Sequence, residues 1–404
     1  MYRIRTYNKI SAEGLKRFPI EAYEVAGDLS NPDAILVRSA DLHTVEIPDT
    51  VKAIARAGAG YNNIPVEECS KKGIVVFNTP GGNANAVKEL TIAGLLLSSR
   101  NIIGGINWTT SIADKGDEVP DLVEKNKSKF EGPELKGKTL GVIGLGAIGV
   151  MVANDALNLG MNVIGYDPFI SVEAAWNLSR MVRRAETLEG LLAKSDYISL
   201  HIPYSDATKG LLDASKFSVM KKGCRLVNLA RGGLVNEADV IAALHEGTLA
   251  AYITDFASAE LLAAPKAVCI PHLGASTPEA EDNCAVMAAQ QLIEFLESGA
   301  IKNSVNFPSC RLEKHTHSPY RLLVVNRNVP NMVGQITTTL AGTSINIADL
   351  VNHHRNDIAY NIIDTEQEIP DDALEQIKNI EGVVTVRAIT PLGRKEAENG
   401  WSGR

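Results

Sequence analysis

His272 in PHLGAST, Arg231 in NLARGG and Glu260 in AYITDFASAE each stand where a short apolar run gives way to a turn. A histidine, whose pKa ordinarily lies near neutrality, can take the proton of an alcohol and return it. A carboxylate beside it fixes the tautomer and stabilises the imidazolium, and an arginine grips a carboxylate in bidentate fashion while polarising the adjacent carbonyl. The set suits reversible oxidation of a hydroxyl carbon by hydride transfer to a nicotinamide. Taken singly, each residue reads as an ordinary strand-end or surface side chain, and the weight comes from what precedes them. His201 in LHIP, two residues before Pro203, reads as structural or cofactor-lining, while His353 and His354 are given no catalytic role.

What precedes them is GLGAIG, with Gly144, Gly146 and Gly149 placed directly after a β-rich run and at the start of a helical pattern. The next run ends in Asp167, at the spacing of about twenty residues at which an acid takes the adenosine ribose hydroxyls. Gly144 permits the tight turn, Gly146 lets backbone approach a pyrophosphate, and the amides around Ala147 and Ile148 face it at the helix N-terminus. Asp167 repels a 2′-phosphate, and Pro168 and Phe169 offer no cation to bind one, so NAD is favoured over NADP.

The elements that must position these groups are legible as alternation. TLGVIG, NVIGYD, YISLHIP, CRLVNLAR, AAYITDF and AVCIPHL alternate with helical segments, which means βαβ units and a Rossmann-type doubly wound parallel sheet. A helix is expected from Glu237, with Asn236 as N-cap, Asp239 three residues later and Gly247 just past its end; Gly160 ends the helix before NVIGYD. AILVRS, VKAIARAG and IVVFNTP make a second, smaller α/β unit of flavodoxin-like character. Two apolar-periodic stretches, roughly 86–106 and 276–298, flank the central block, and the later one is expected to carry the chain back, making the first domain discontinuous. RLLVVN, NMVGQITTTLAG, INIADLVNHH, IAYNIIDTE, DDALEQIKNIEG and VVTVRAI then spell a ferredoxin-like βαββαβ order. The expected divisions are a substrate domain over 1–92, an NAD-binding domain over 93–274, a return segment over 275–310, a regulatory domain over 318–390 and a tail over 391–404.

The chain of 404 residues, 45% hydrophobic and 22% charged, has the composition of a globular protein of several domains. Its formal charge of −8 argues against nucleic acid as the main partner. No apolar run reaches the roughly 18 residues of a membrane span, and the start lacks the apolar core of a signal peptide, so a cytoplasmic location is the expectation. Five cysteines are scattered without metal-ligand spacing, so no metal site is expected.

In order along the chain, LVRS, RAGAGYNNI, NTPGGNANAVKEL, FEGPELKGKTLGVIGLGAIG, LHIP, NLARGG and PHLGAST resemble the D-isomer-specific 2-hydroxyacid dehydrogenases from about residue 34 to about 390. The likeness is greatest to the members acting on 3-phosphoglycerate. It implies NAD-dependent oxidation of 3-phospho-D-glycerate to 3-phosphonooxypyruvate, the first step of phosphorylated L-serine biosynthesis, with Arg231, Glu260 and His272 catalytic. Cofactor contacts would fall on Gly144, Gly146, Ala147, Ile148, Gly149, Asp167, His201, Pro203, Leu229, Ala230, Asp255, Gly274 and Ala275. The loop Ala57 to Gly60, including Ala59, and Asn83 would hold the substrate carboxylate and hydroxyl, with Arg38 and Arg56 for the phosphate. The last seventy or so residues look like an ACT domain, in which Asn328 and Asn346 would hold an L-serine effector. The resemblance also implies a homodimer or homotetramer. Rival readings are another D-2-hydroxyacid dehydrogenase, of the glyoxylate or hydroxypyruvate type, and a non-catalytic NAD-sensing protein on the same fold. The sequence departs from the family pattern at Leu261 after Glu260, at Lys88, at Asn62 and at Asn331.

Overall fold

The computed structural model describes residues 1–313 and 320–389, and the tail expected over 391–404 lies outside them. The chain divides into two compact units, one formed by 1–82 with 281–404 and the other by 83–280.

The first unit opens with β1 (Tyr2–Tyr7), β2 (Tyr23–Ala26), β3 (Ala34–Val37), β4 (Ala53–Arg56) and β5 (Val75–Phe77), a parallel sheet in the order β2-β1-β3-β4-β5. Strands β3, β4 and β5 carry almost no polar residue because both sheet faces are covered. The later helix, Pro278–Ser298, buries Cys284, Ala285, Ala288, Ala289, Leu292, Phe295 and Leu296 in the core of this sheet. That three-and-four spacing is one helical face, and it explains why the 276–298 periodicity was readable.

The second unit holds β6 (Thr139–Ile143), β7 (Asn162–Tyr166), β8 (Arg183–Arg184), β9 (Tyr197–Leu200), β10 (Cys224–Asn228), β11 (Leu249–Thr254) and β12 (Ala267–Cys269). All seven are parallel, in the order β12-β11-β10-β9-β6-β7-β8. The chain runs outwards from β6 on one side and from β9 on the other, so a topological switch point lies between them. The helix Glu237–Glu246 has the expected ends: Asn236 accepts from the Asp239 amide, and Gly247 is left-handed at φ 75°.

The apolar-periodic stretch 86–106 spans two helices. Arg100 turns extended, and Asn101 starts a second helix, Ile102–Ser111, by accepting from the Gly104 amide. A local cap has overridden a continuous apolar period. The second unit also begins at Asn83 rather than residue 93, because the helix Ala84–Ser99 packs on it: Gly94 fits closely against Val227 and Ile253, and the Ser98 carbonyl accepts from Arg225 Nε at 2.7 Å.

Within the first unit, β13 (Tyr320–Arg327), β14 (Ile347–Arg355), β15 (Ile358–Thr365) and β16 (Val383–Ile389) form an antiparallel sheet in the order β14-β15-β13-β16, the ferredoxin-like, ACT-like arrangement. Leu322, Val324 and Ile363 face the helices Met332–Gly342 and Asp371–Lys378, while Leu323, Val325, Tyr360 and Ile362 join the core around Phe295 and Phe307. Burial on both faces accounts for the unbroken apolar run LLVV. At the seam, the last turn of the helix Pro278–Ser298 is satisfied from a distance. Arg387 donates to the carbonyls of Phe295 at 2.8 Å and Leu296 at 3.2 Å, Tyr2 Oη to Leu296 at 2.9 Å, and Arg321 to Ser298 at 2.9 Å. Positive side chains at a helix C-terminus suit both its orphan carbonyls and its dipole. Arg321 is also in a buried two-point pair with Asp364, at 2.6 and 2.8 Å.

Candidate active site

In the second unit, Gly144 to Gly149 join β6 to the helix Ala147–Asn158, and each glycine has its own reason. Gly144 has φ 91°, and a Cβ there would lie 2.5 Å from the His201 carbonyl oxygen. A Cβ on Gly149 would lie 1.9 Å from the Gly144 oxygen, so helix and strand could not approach as they do. Gly146 caps the helix, and a Cβ there would meet open space. Nothing in the fold forbids a side chain at Gly146, whereas a pyrophosphate approaching the Ala147 and Ile148 amides would. Asp167, just past β7, accepts from the Leu145 amide at 2.8 Å through Oδ2 and from the Phe169 amide at 2.8 Å through Oδ1, which pins the glycine turn to β7.

The other predicted residues follow the carboxyl ends of neighbouring strands: His201 and Pro203 after β9, Leu229, Ala230 and Arg231 after β10, Asp255 after β11, and His272, Gly274 and Ala275 after β12. The sheet therefore brings them to one edge, on both sides of its switch point. His201 shares a 2.8 Å hydrogen bond with Ser199 Oγ, and burial pushes its pKa down to about 3. It stays neutral near pH 7, in keeping with a structural or lining role. Arg231 is exposed and donates to the Ala230 carbonyl at 2.7 Å. His272 is exposed and meets the edge of Phe256, with ring centroids 5.1 Å apart.

Glu260 sits in the first turn of the short helix Ala259–Ala263, exposed, and no hydrogen bond or ion pair joins it to His272. The carboxylate that feels His272 electrostatically is Asp255. It is 4% exposed, and neither of its oxygens has a hydrogen-bond partner. Burial raises its pKa, and the charge of His272, the nearby backbone amides of Asp255 and Gly274, and then the charge of Arg231 oppose that rise. A buried carboxylate that completes no hydrogen bond of good geometry is costly and marks a place where a further donor would be welcome.

In the first unit, Arg38 follows β3, Arg56 ends β4, and Ala59 and Gly60 follow β4, again at carboxyl ends. Arg56 Nε donates to the Arg38 carbonyl at 3.0 Å. A Cβ on Gly58 would fall 1.9 Å from Arg56 Nη1, so this loop must be glycine for the guanidinium to lie against it. Asn83 belongs to the other unit, where it precedes the helix Ala84–Ser99 without a side-chain capping bond. Asn328 and Asn346 are not brought together. Asn328 bonds the Asp357 carbonyl and Asn346 accepts from Glu366, nine residues apart along β15, a distance of about 30 Å.

Sequence reasoning missed three contributors. Asn228 donates to the Arg231 carbonyl at 3.0 Å and accepts from the Ala230 amide at 3.2 Å, which shapes the Arg231 turn; an asparagine closing the strand directly after Leu226 and Val227 was the available signal. Phe256 had none. Glu281 pairs with Arg38 at 2.5 Å across more than two hundred residues of sequence. Of the departures, Lys88 pairs with Asp155 at 2.9 Å, and Asn331 takes φ 68° ahead of the helix Met332–Gly342, as its tolerance of the left-handed region allows.

Among the described residues, no helix is long and apolar enough to cross a membrane, and no group of His, Cys, Asp and Glu could hold a metal ion. The family model "D-isomer specific 2-hydroxyacid dehydrogenase, NAD binding domain" matches residues 98–274. The chain is 35% identical to D-3-phosphoglycerate dehydrogenase of Methanocaldococcus jannaschii over 81% of its own length and 61% of that protein's. It spans about three fifths of the length of the first such relatives. Among solved structures, NAD+-bound 3-phosphoglycerate dehydrogenase of Entamoeba histolytica is 29% identical with a TM-score of 0.57, covering 76% of this chain and 98% of that one. Apo D-mandelate dehydrogenase of Rhodotorula graminis is 25% identical with a TM-score of 0.61, covering 73% and 94%. The glycine turn, the switch-point edge and these likenesses agree: residues 98–274 belong to the D-isomer specific 2-hydroxyacid dehydrogenase family as its NAD-binding domain.

Proposed function

We propose that the protein oxidises 3-phospho-D-glycerate to 3-phosphonooxypyruvate with NAD, at the start of a phosphorylated route to L-serine. The carrying observation is Asp255, a buried carboxylate whose oxygens complete no hydrogen bond, within electrostatic reach of His272 and Arg231 at the edge of an NAD-binding sheet. The name shared by the curated relatives supports the substrate. NAD is to be held by the Ala147 and Ile148 amides, by Asp167 and by Asp255, and when bound it accepts the hydride that leaves the hydroxyl carbon. His272 takes the hydroxyl proton, Arg231 orients the substrate carboxylate, and Glu260 swings to support His272. Arg38 and Arg56 receive the phosphate, and the Ala59–Gly60 loop and Asn83 the carboxylate and hydroxyl.

The reading extends to a cytoplasmic homodimer or homotetramer. Five free cysteines suit a reducing compartment, and exposed Leu96, Ile102, Ile103 and Ile106 suit contact with a second copy. L-serine, if it acts through Asn328 and Asn346, must bridge two copies, since one chain holds these residues at opposite ends of a sheet.

The test is NADH formation with 3-phosphoglycerate, against glyoxylate reduction. His272→Ala should lower turnover about 100- to 10,000-fold with cofactor affinity kept. Removing Arg38 and Arg56 should penalise only the phosphorylated substrate. Equal loss on both substrates would leave the reading as another D-2-hydroxyacid dehydrogenase, for which the D-mandelate enzyme's similar structure provides precedent.

A further inference from the structure

A cavity of about 580 Å3 lies within the first unit. Its walls are the helix Val66–Lys71, the Val305–Asn306 segment, the turn from Arg355 to Ile358 between β14 and β15, and the nearby ends of β13 and β16. Val66, Val305, Ile358 and Val384 supply an apolar lining, and Lys71, Arg327 and Arg355 supply charge. Among the described residues, neither Lys71 nor Arg327 has an ion pair or a side-chain hydrogen bond, and Arg355 spends only Nη1, on the Ser304 carbonyl at 2.8 Å. Lys72, next to Lys71, is by contrast paired with Asp49. In a chain whose formal charge is −8, this concavity is ringed by three exposed cations and two exposed carboxylates, Glu67 and Asp357, a local excess of one positive charge with no ion pair among them. Glu67 and Asp357 line the same cavity, unpaired with these cations, and can accept from a hydroxyl or ammonium group.

We propose that this cavity binds a small organic phosphate or carboxylate carrying a hydroxyl or ammonium donor at its other end. The site is separate from the arginines proposed to receive the substrate phosphate. Lys71 precedes the amino end of β5, whereas Arg38 and Arg56 stand at the carboxyl ends of β3 and β4 in the same parallel sheet. It has a direct route to regulation. The Asn328 amide donates to the Asp357 carbonyl at 2.8 Å, and Asn328 Nδ2 to the Asn356 carbonyl at 3.3 Å, so an anion gripped by Arg355 and Arg327 braces the turn on which the Asn328 loop rests.

The probe is inorganic phosphate, with chloride at equal ionic strength as control, added to the full chain bearing Arg38→Ala and Arg56→Ala so that the proposed substrate site is silent. The expected result is a saturable rise in Tm of about 2 °C, lost on adding Arg327→Gln and Arg355→Gln. Phosphate should also slow hydrogen exchange over residues 355–358 of the unsubstituted protein, a reading independent of any variant's folding. Arg327→Gln alone should leave turnover within about twofold. No saturable effect beyond chloride, or one that survives loss of both arginines, overturns the proposal.

Discussion

Replacing Asp255 by Asn leaves the shape of a buried side chain unchanged and removes its charge. Neither oxygen completes a hydrogen bond of good geometry, and burial raises the pKa despite the charge of His272, the nearby amides of Asp255 and Gly274, and the charge of Arg231. Leaving a buried polar group unpaired costs about 1–3 kcal/mol, more when it is charged, so the neutral amide should recover about 1–2 kcal/mol in the ligand-free protein. For a unit of this size, each kcal/mol is worth about 2–4 °C, giving a Tm gain of about 2–8 °C. The sign with pH follows from linkage. A folded-state pKa raised above its unfolded value means that the folded protein holds the proton more tightly. Wild-type stability then falls as pH rises from the ordinary aspartate range through the raised value. The advantage of Asn should therefore be larger at pH 8 than at pH 4.5. NADH affinity should move the other way: exchanging a charge-assisted hydrogen bond for a neutral one loses about 1 kcal/mol, or about fivefold in Kd. Melting curves at the two pH values and a fluorescence titration with NADH decide the matter. A variant no more stable than wild type at pH 8, or one that binds NADH equally well, refutes the reasoning.

Arg321→Ala should cost about 3–5 kcal/mol in urea unfolding, because it strands Asp364 in the core, whereas Arg321→Met with Asp364→Leu should recover most of the loss. Glu281→Gln frees Arg38 from a half-exposed ion pair worth up to about 1 kcal/mol. It should lower KM for 3-phosphoglycerate up to about fivefold with kcat unchanged; a raised KM in steady-state assays would mean that Glu281 positions Arg38 instead of competing with its ligand.

Local signals carried most of the fold. Asn236, Asp239 and Gly247 bound a helix through contacts within a few residues, and the three glycines of the turn answer to sterics within one βαβ unit. Strands buried on both faces stood out as continuous apolar runs. Period alone does not show the break inside 86–106, where Asn101 caps a second helix. At the site, strand ends were legible because each motif is contiguous. What was not legible depends on partners far apart in the chain: the burial of the Asp255 carboxylate without a completed hydrogen bond, the Glu281–Arg38 pair, and the lack of a hydrogen bond or ion pair between Glu260 and His272.

The last turn of the helix Pro278–Ser298 has a consequence for the order of folding. Its carbonyls take their donors from Tyr2 at one end of the chain and from Arg321 and Arg387 towards the other. During synthesis, residues 1–82 emerge without the helix that covers their sheet, and they must wait while the contiguous unit 83–280 is made and folds. Closure of the first unit over so long an intervening segment is entropically late, and its apolar strands stay open to other chains until then. Aggregation during expression should accordingly begin in the N-terminal sheet, and a bond lost at that distant helix end slows maturation more than its few hydrogen bonds would suggest.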